Sequence, residues 1–310
     1  MMKRRYAIFL AAGAVLLTAA CLADLSWGGC ADPYIMTHLR LPRLATAILA
    51  GASMALSGTQ MQSIFRNPLA DPHIMGISSG AALGAATATL CGPGAAGTPT
   101  ALSAFAGAAV AAAVILSASG KLRNASALLI FGVMLGFIVN AVVAVLQFNS
   151  DAESLKTFYS WSAGSFSNTG WNEVGIMAVA LVPGLAIALG THKGLDLILF
   201  GDEFTELSGG SPTRIRLSAL LSCSLMTGAV TAFCGPLGFV GIIAPHITRT
   251  LTGRTAHKSV LPASLLTGAL AGVLADLVSR LAPTPMPVAG TMAILGIPVI
   301  LYIMIKRPTL

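Results

Sequence analysis

Long apolar segments recur along the whole chain, and short polar connections separate them. The segment 44–65 carries no formal charge, and a helix of that length, at about 1.5 Å per residue, crosses a hydrocarbon core about 30 Å thick. Only 9% of the residues are charged, against about 25% in ordinary soluble domains. The sequence therefore predicts an all-α integral membrane protein and excludes a soluble domain with a large core.

The apolar pattern predicts about ten transmembrane helices in a single domain, residues 1–310. Pro42 is expected in the first turn of the second helix, where its missing N–H would be unpaired in any case. The run 237–252 is the least regular, because it is short and Pro245 interrupts it. The ten apolar runs are 7–23, 44–65, 74–91, 100–119, 126–148, 174–191, 217–234, 237–252, 260–279 and 288–305.

The basic residues predict the orientation, because Lys and Arg collect in cytoplasmic loops. With the N-terminus inside and ten crossings, four of the 18 Lys and Arg residues fall outside, which leaves 14 inside. Both termini are therefore expected in the cytoplasm. The net charge of +7 is a topology signal and does not indicate a nucleic-acid partner. The inside set is Lys3, Arg4, Arg5, Arg66, Lys121, Arg123, Lys193, Arg214, Arg216, Arg249, Arg254, Lys258, Lys306 and Arg307.

The four external basic residues are Arg40, Arg43, Lys156 and Arg280. The three arginines lie at outer ends of apolar runs, against the general bias, so we expect something outside the membrane to meet them. Asp276 precedes Arg280 by four residues on one predicted helix, so the two side chains can pair.

Four amide side chains inside apolar runs are candidates for the transport pathway: Gln60, Gln62, Asn140 and Gln147. An unpaired polar group that faces lipid costs several kcal/mol, so such groups tend to face a bundle interior or a wet cavity. The alternative is an interhelical hydrogen bond, worth about 0.6 kcal/mol on average. For any one amide, the hydrogen bond is the preferred interpretation.

The segment 196–216 is the only sizeable polar stretch on the predicted cytoplasmic side. Its composition predicts one or two short helices joined by a glycine turn. Its position suits a docking surface for a cytoplasmic partner, and a plain solvated loop is the alternative. The candidate contact residues are Asp202, Glu203, Glu206, Leu207, Gly209 and Gly210.

Motifs for chemistry are missing from the sequence. No phosphate-binding Gly-x-x-x-x-Gly-Lys-Ser/Thr loop occurs, and no loop gathers a catalytic cluster. The five cysteines lack Cys-x-x-Cys spacing and are expected to pack as small residues, and no two histidines share a metal-ligand spacing. His192 and His257 fall in expected cytoplasmic loops. We therefore predict no enzyme activity, metal or cofactor in this chain; if ATP drives a process here, a partner chain must bind the ATP and magnesium.

Several motifs resemble one family throughout the chain. The sequence is similar to the permease subunits of type II ABC importers, the FecCD family, which take up iron siderophores, haem and cobalamin. The motifs that carry the resemblance are Arg40-Leu41-Pro42-Arg43, Arg66-Asn67-Pro68-Leu69-Ala70-Asp71-Pro72, Gly76-Ile77-Ser78-Ser79-Gly80-Ala81, Gly235-Pro236-Leu237-Gly238-Phe239-Val240-Gly241, Pro245-His246-Ile247-Thr248-Arg249, Leu274-Ala275-Asp276 and Gly296-Ile297-Pro298.

The resemblance implies a permease of the bacterial cytoplasmic (inner) membrane that pairs with a second copy of itself or a close paralogue. Two ABC ATPase subunits below and a substrate-binding protein above are implied as partners, and a metal chelate as the substrate. In the family, outer arginines meet glutamates of the binding protein, which matches Arg40, Arg43 and Arg280. The 196–216 loop corresponds to the ATPase contact. The inner gate corresponds to Asn67, Leu69, Asn124, Ala125 and Ser126, and Ala125 departs from the more polar residues of other members.

Two other classes stay open on the residues alone. An ion-coupled secondary transporter would need a buried carboxylate near the bilayer midplane, and Asp276, the only acid inside an apolar run, lies towards the outer end. A membrane-embedded enzyme would need the catalytic cluster that is missing. The cargo is not fixed by any residue; iron chelates are expected first because they are the commonest cargo of such permeases.

Overall fold

The computed structural model describes residues 2–26, 32–91, 98–122, 124–281 and 286–306, and within these ranges it is helical without a β-strand. The predicted all-α class is confirmed. Cys30, Arg123 and Arg307 lie outside the described residues. In chain order the helices are α1 (Met2–Ser26), α2 (Pro33–Ile35), α3 (Leu41–Ile64), α4 (Ile77–Leu90), α5 (Thr98–Lys121), α6 (Ala125–Phe148), α7 (Ala152–Ser162), α8 (Trp171–Gly190), α9 (His192–Ile198), α10 (Asp202–Leu207), α11 (Pro212–Cys234), α12 (Val240–Thr252), α13 (His257–Ser279) and α14 (Val288–Lys306).

Each predicted apolar run contains one of these helices. Seven helices of the described part are long and apolar enough to cross a membrane, and Ile77–Leu90 and Val288–Tyr302 are shorter apolar helices. The irregular run 237–252 holds α12, a helix of 13 residues with Pro245 inside it.

Pro42 lies in the first turn of α3, as predicted. Helical structure also precedes α3 and is continuous over Pro33–Ile64. A π-helical segment, Met36–Arg40, lies just before the proline, and the Leu41 N–H bonds to the Met36 carbonyl. Because proline has no N–H to continue the α-helical ladder, the chain accommodates it by widening the preceding turn.

Helix α3 forms the centre of the bundle, and small residues let its backbone meet two neighbours. A Cβ atom added to Gly51 would lie 2.1 Å from the Gly268 carbonyl oxygen of α13. A Cβ added to Gly58 would lie 2.0 Å from the Gly241 carbonyl oxygen of α12. Only glycine fits these contacts, so the small residues determine how closely α3 packs against α12 and α13.

The contact between Gly58 and Gly241 yields a stability prediction. Gly58→Ala should destabilise the protein by about 1–3 kcal/mol, because the new methyl group overlaps backbone that cannot move aside as a flexible side chain can. Gly175→Ala is the matched control, since a Cβ at Gly175 in α8 meets nothing within 4 Å. Thermal unfolding of the detergent-solubilised variants measures the effect, and equal melting temperatures for both would contradict the packing argument.

Candidate docking, gate and coupling sites

Two of the predicted docking arginines belong to a charge cluster at the outer ends of α1, α3 and α13. The Arg43 guanidinium donates to both carboxylate oxygens of Asp276, at 2.7 and 2.9 Å. Arg280 pairs with the same carboxylate at 3.1 Å and with Asp24. Both carboxylates are buried, with 1% exposure or less. Two positive and two negative charges therefore compensate one another, as buried charges require.

The sequence analysis anticipated only part of this cluster. The predicted pairing of Asp276 with Arg280 is confirmed. Asp24 was missed because the first apolar run ends at residue 23. Helix α1 continues to Ser26, so Asp24 belongs to the helix and its carboxylate is buried in the bundle. Asp71, in the turn after α3, is also buried, and its Oδ1 accepts the His73 N–H at 2.8 Å. The interpretation of Asp276 as the only acid among the apolar helices was therefore wrong.

Arg40, the third predicted docking arginine, stands apart from the cluster. Its Nη1 donates to the Leu25 carbonyl oxygen at 2.7 Å, and no carboxylate among the described residues lies within salt-bridge distance of it. Arg40 is therefore the one of the three whose charge is not compensated by a neighbouring side chain.

The four amides divide into two pairs. Gln60 donates to the Ser222 hydroxyl of α11 at 3.0 Å. Gln62 accepts from Arg249 Nη1 of α12 at 2.6 Å and donates to the Gly241 carbonyl oxygen at 3.3 Å. Both are buried, so the interhelical hydrogen bond is the correct interpretation for them. Asn140 is exposed and Gln147 half-buried on α6 in the single chain.

The two predicted gate segments are short capped turns. The Asn67 side chain accepts the Leu69 N–H at 2.9 Å, and Leu69 stays exposed. The Asn124 side chain caps α6 by accepting the Ser126 N–H at 2.9 Å, while Ala125 is buried. Asn124 and Ser126 are exposed, whereas Ala125 is buried. Any polar contact made by the second turn would therefore come from Asn124 and Ser126.

The segment 196–216 contains the predicted short helices and glycine turns. Gly201, with φ +109°, separates α9 from α10, and Gly209, with φ +79°, follows α10. The Gly210 N–H bonds to the Thr205 carbonyl oxygen at 2.8 Å. These bonds hold the segment as a folded element, so the alternative of a plain solvated loop was wrong. We call residues 192–216 the coupling element.

The coupling element exposes large apolar side chains at its surface. Phe200 and Leu207 are 73% and 88% exposed, and Phe204 is also exposed. Glu203 and Glu206 are exposed beside them. By contrast, Asp202 points inward and accepts from Arg216 Nη2 at 2.6 Å.

The coupling element lines one cavity together with Asn124 of the second gate turn and with Arg66, which directly precedes the first. Its volume is about 690 Å³, and Arg66 and Asn124 line it together with residues 200–204 and Leu207. Asp202 lies 4.0 Å from Arg66, which takes the left-handed conformation with φ +49°. The structure therefore brings together two predicted sites that are more than 70 residues apart in sequence.

A buried histidine forms a second contact between the coupling element and α3. His257 is fully buried at the start of α13, where its Nδ1 lies 2.6 Å from Asp196 Oδ1 and its Nε2 lies 2.5 Å from the Ser63 hydroxyl. The expectation that His257 lies in a loop was wrong. Partial burial acts to raise the pKa of Asp196, and hydrogen bonds from His257 act to lower it. The hydrogen bonds outweigh the burial, so the pKa of Asp196 lies below its ordinary value.

Comparison with known proteins places the chain in a family. The profile of the FecCD transport family matches residues 6–306. The vitamin B12 import system permease protein BtuC of Salmonella paratyphi A is 34% identical over 288 residues, 92% of this chain and 88% of that protein. The cobalamin import system permease protein BtuC of Halobacterium salinarum is 36% identical over 295 residues, 94% of this chain and 79% of that protein.

A solved structure agrees with the sequence relatives. An inward-facing metal-chelate type ABC transporter superposes with a TM-score of 0.88 at 29% identity, over 96% of this chain and 99% of that one. The apolar helices and these relatives indicate a multi-pass protein of the inner membrane. The chain therefore belongs to the FecCD transport family and is a permease of the metal-chelate and cobalamin importer type.

Proposed function

We propose that this permease imports a cobalamin-type metal chelate. It receives the chelate from an external binding protein and releases it into the cytoplasm, driven by ATP hydrolysis in partner ATPases. The observation that carries this proposal is the cavity that the coupling element shares with Arg66 and Asn124. A partner that moves the coupling element would act on Arg66, the residue directly before Asn67, and on Asn124.

The exposed face of α10 supports an ATPase partner. Large apolar side chains that lie together on a surface usually mark a protein interface. Phe200, Phe204 and Leu207 form such a group, and Glu203 and Glu206 add polar contacts at its edge. The glycine turns at Gly209 and Gly210 fix the direction of this face.

The outer cluster supports a binding-protein partner. Arg40 offers an uncompensated charge, and Arg43 and Arg280 lie next to it with their charges shared between Asp24 and Asp276. Carboxylates of a carrier would orient it on this surface and speed encounter. Because the cluster itself is neutral, most of the attraction would come from Arg40.

A second copy of the chain, or a close paralogue, would complete the pathway. Helix α6 exposes Phe137, Ile138 and Phe148 together with the polar Asn140. A partner permease would cover the apolar residues, and Asn140 and Gln147 would lie towards the pathway between the two copies. Transport then requires that the loaded carrier and ATP each favour one of the two states of the complex.

Cobalamin is the first cargo to test, because the relatives of this chain are named for it. The chain, its ATPase and its binding protein should together take up radiolabelled cobalamin into proteoliposomes only with ATP and magnesium. The permease alone should neither hydrolyse ATP nor transport. Uptake driven by an ion gradient without ATP would establish a secondary transporter, and uptake of a ferric siderophore or haem in place of cobalamin would correct the cargo.

The ATPase contact is tested by Leu207→Asp. A charge at this exposed apolar position should reduce copurification of the ATPase by more than about tenfold, because a desolvated carboxylate without a partner costs several kcal/mol. Leu39→Asp is the control, since Leu39 is an exposed leucine on the outer side. Unchanged copurification of Leu207→Asp would remove α10 from the interface.

The docking role of Arg40 is tested by charge reversal. Arg40→Glu should weaken binding of the carrier to the reconstituted complex by about tenfold at low salt, with a smaller effect at high salt. Lys156→Glu reverses another exposed external charge, on α7, and should bind the carrier as the native protein does. Equal loss in both variants would point to general attraction and not to a docking site.

A further inference from the structure

We infer that His257 is a positioning residue that transmits movement of the coupling element to the gate end of α3. The inference rests on the proposed ATP-driven function. It concerns a contact that passes through the inside of the protein, distinct from the exposed contact between Asp202 and Arg66.

The contacts of His257 join three separate elements. Its imidazole Nδ1 and its backbone N–H both lie within hydrogen-bond distance of Asp196 Oδ1, at 2.6 and 2.9 Å. Its Nε2 meets the Ser63 hydroxyl at 2.5 Å. Asp196 belongs to α9, Ser63 to the last turn of α3, and His257 to the first turn of α13. The ring therefore spans the distance between the coupling element and Ser63, which lies four residues before Asn67 of the gate turn.

Burial and hydrogen-bond distance make this path stiffer than the exposed one. The side chains of Arg66 and Asp202 are 44% and 34% exposed at a separation of 4.0 Å, and an ion pair of that kind contributes little in water. The imidazole is fully buried, while the Asp196 side chain is 35% exposed, about as much as that of Asp202. The bond between the imidazole and Asp196 is 2.6 Å long, a true hydrogen-bond distance, whereas the 4.0 Å separation of Arg66 and Asp202 is not.

The surroundings of Ser63 favour transmission towards the gate. The neighbouring Gln62 is held by Arg249 of α12, and the Asn67 N–H bonds to the Gln62 carbonyl oxygen at 3.1 Å. A displacement of α9 that pulls on His257 would thus reach the backbone of the gate turn through two consecutive residues of α3.

The test measures gate exposure in the complex of the permease with its ATPase. Leu69 in the gate turn is replaced by cysteine, after Cys21, Cys30 and Cys91 are replaced by serine. The maleimide labelling rate of this cysteine is then compared without nucleotide and with ATP and vanadate. We expect a change of about threefold or more with native His257, and almost none in His257→Leu, while ATP hydrolysis continues.

Conservative variants separate transmission from simple packing. The amide of His257→Asn can replace Nδ1 towards Asp196 but cannot reach Ser63, and the amide of His257→Gln can replace Nε2 but not Nδ1. Ser63→Ala removes only the far end of the path. Each should lose the nucleotide response, because each breaks one of the two links. These variants decide the question if His257→Leu fails to assemble.

Tyr6→Phe is the matched control. The Tyr6 hydroxyl donates to the Ser259 carbonyl oxygen at 2.9 Å, so its loss removes an interhelical bond beside His257 without touching α9 or α3. This variant should keep the full response.

The outcomes separate the two proposals. A native complex that assembles but shows no response to ATP would overturn the proposed function as well as this inference. A native response that persists in His257→Asn, His257→Gln and Ser63→Ala would overturn the inference alone. A loss in Tyr6→Phe equal to that in the His257 variants would also overturn it, because any disturbance at this end of α13 would then suffice.

Discussion

The antiparallel contact between α3 and α13 determines most of the other features. Three pairs define its register: Arg43 with Asp276 at the outer end, Gly51 with Gly268 in the middle, and Ser63 with His257 at the inner end. The two residue numbers in each pair add up to nearly the same value, as a straight antiparallel pair requires. The glycines allow backbone contact, and this close approach brings the polar groups at both ends within hydrogen-bond distance.

Local features of the sequence predicted much of this arrangement. Hydropathy located the apolar helices of the described residues. Asp24 and His257 could not be assigned in the same way, because their partners lie 256 and 194 residues away in the chain. The first-turn position of Pro42 was predicted, but the π-helical segment Met36–Arg40 before it was not, because such a turn has no simple sequence signature. The gate and coupling roles remain predictions, although the structure brings their residues to one cavity.

Charge has different consequences at the two ends of α3. At the outer end, Arg43 and Arg280 are compensated by buried carboxylates, so the surface is less positive than its arginine count suggests. At the inner end, Asp196 is partly exposed and Asp202 contacts two arginines. The coupling element thus meets the bundle through these polar contacts and through the buried Leu195 and Ile198, while its exposed face is largely apolar.

The register of α3 and α13 also constrains the order of folding. Helix α3 is made early, yet the groups that satisfy Gln62, Ser63 and Arg43 lie in α12 and α13, between 179 and 233 residues later. Until those helices enter the membrane, α3 holds polar side chains and a glycine surface without their final partners. Contacts so distant in sequence form slowly, and an N-terminal fragment that ends before α12 would lack the interactions that fix α3 in place.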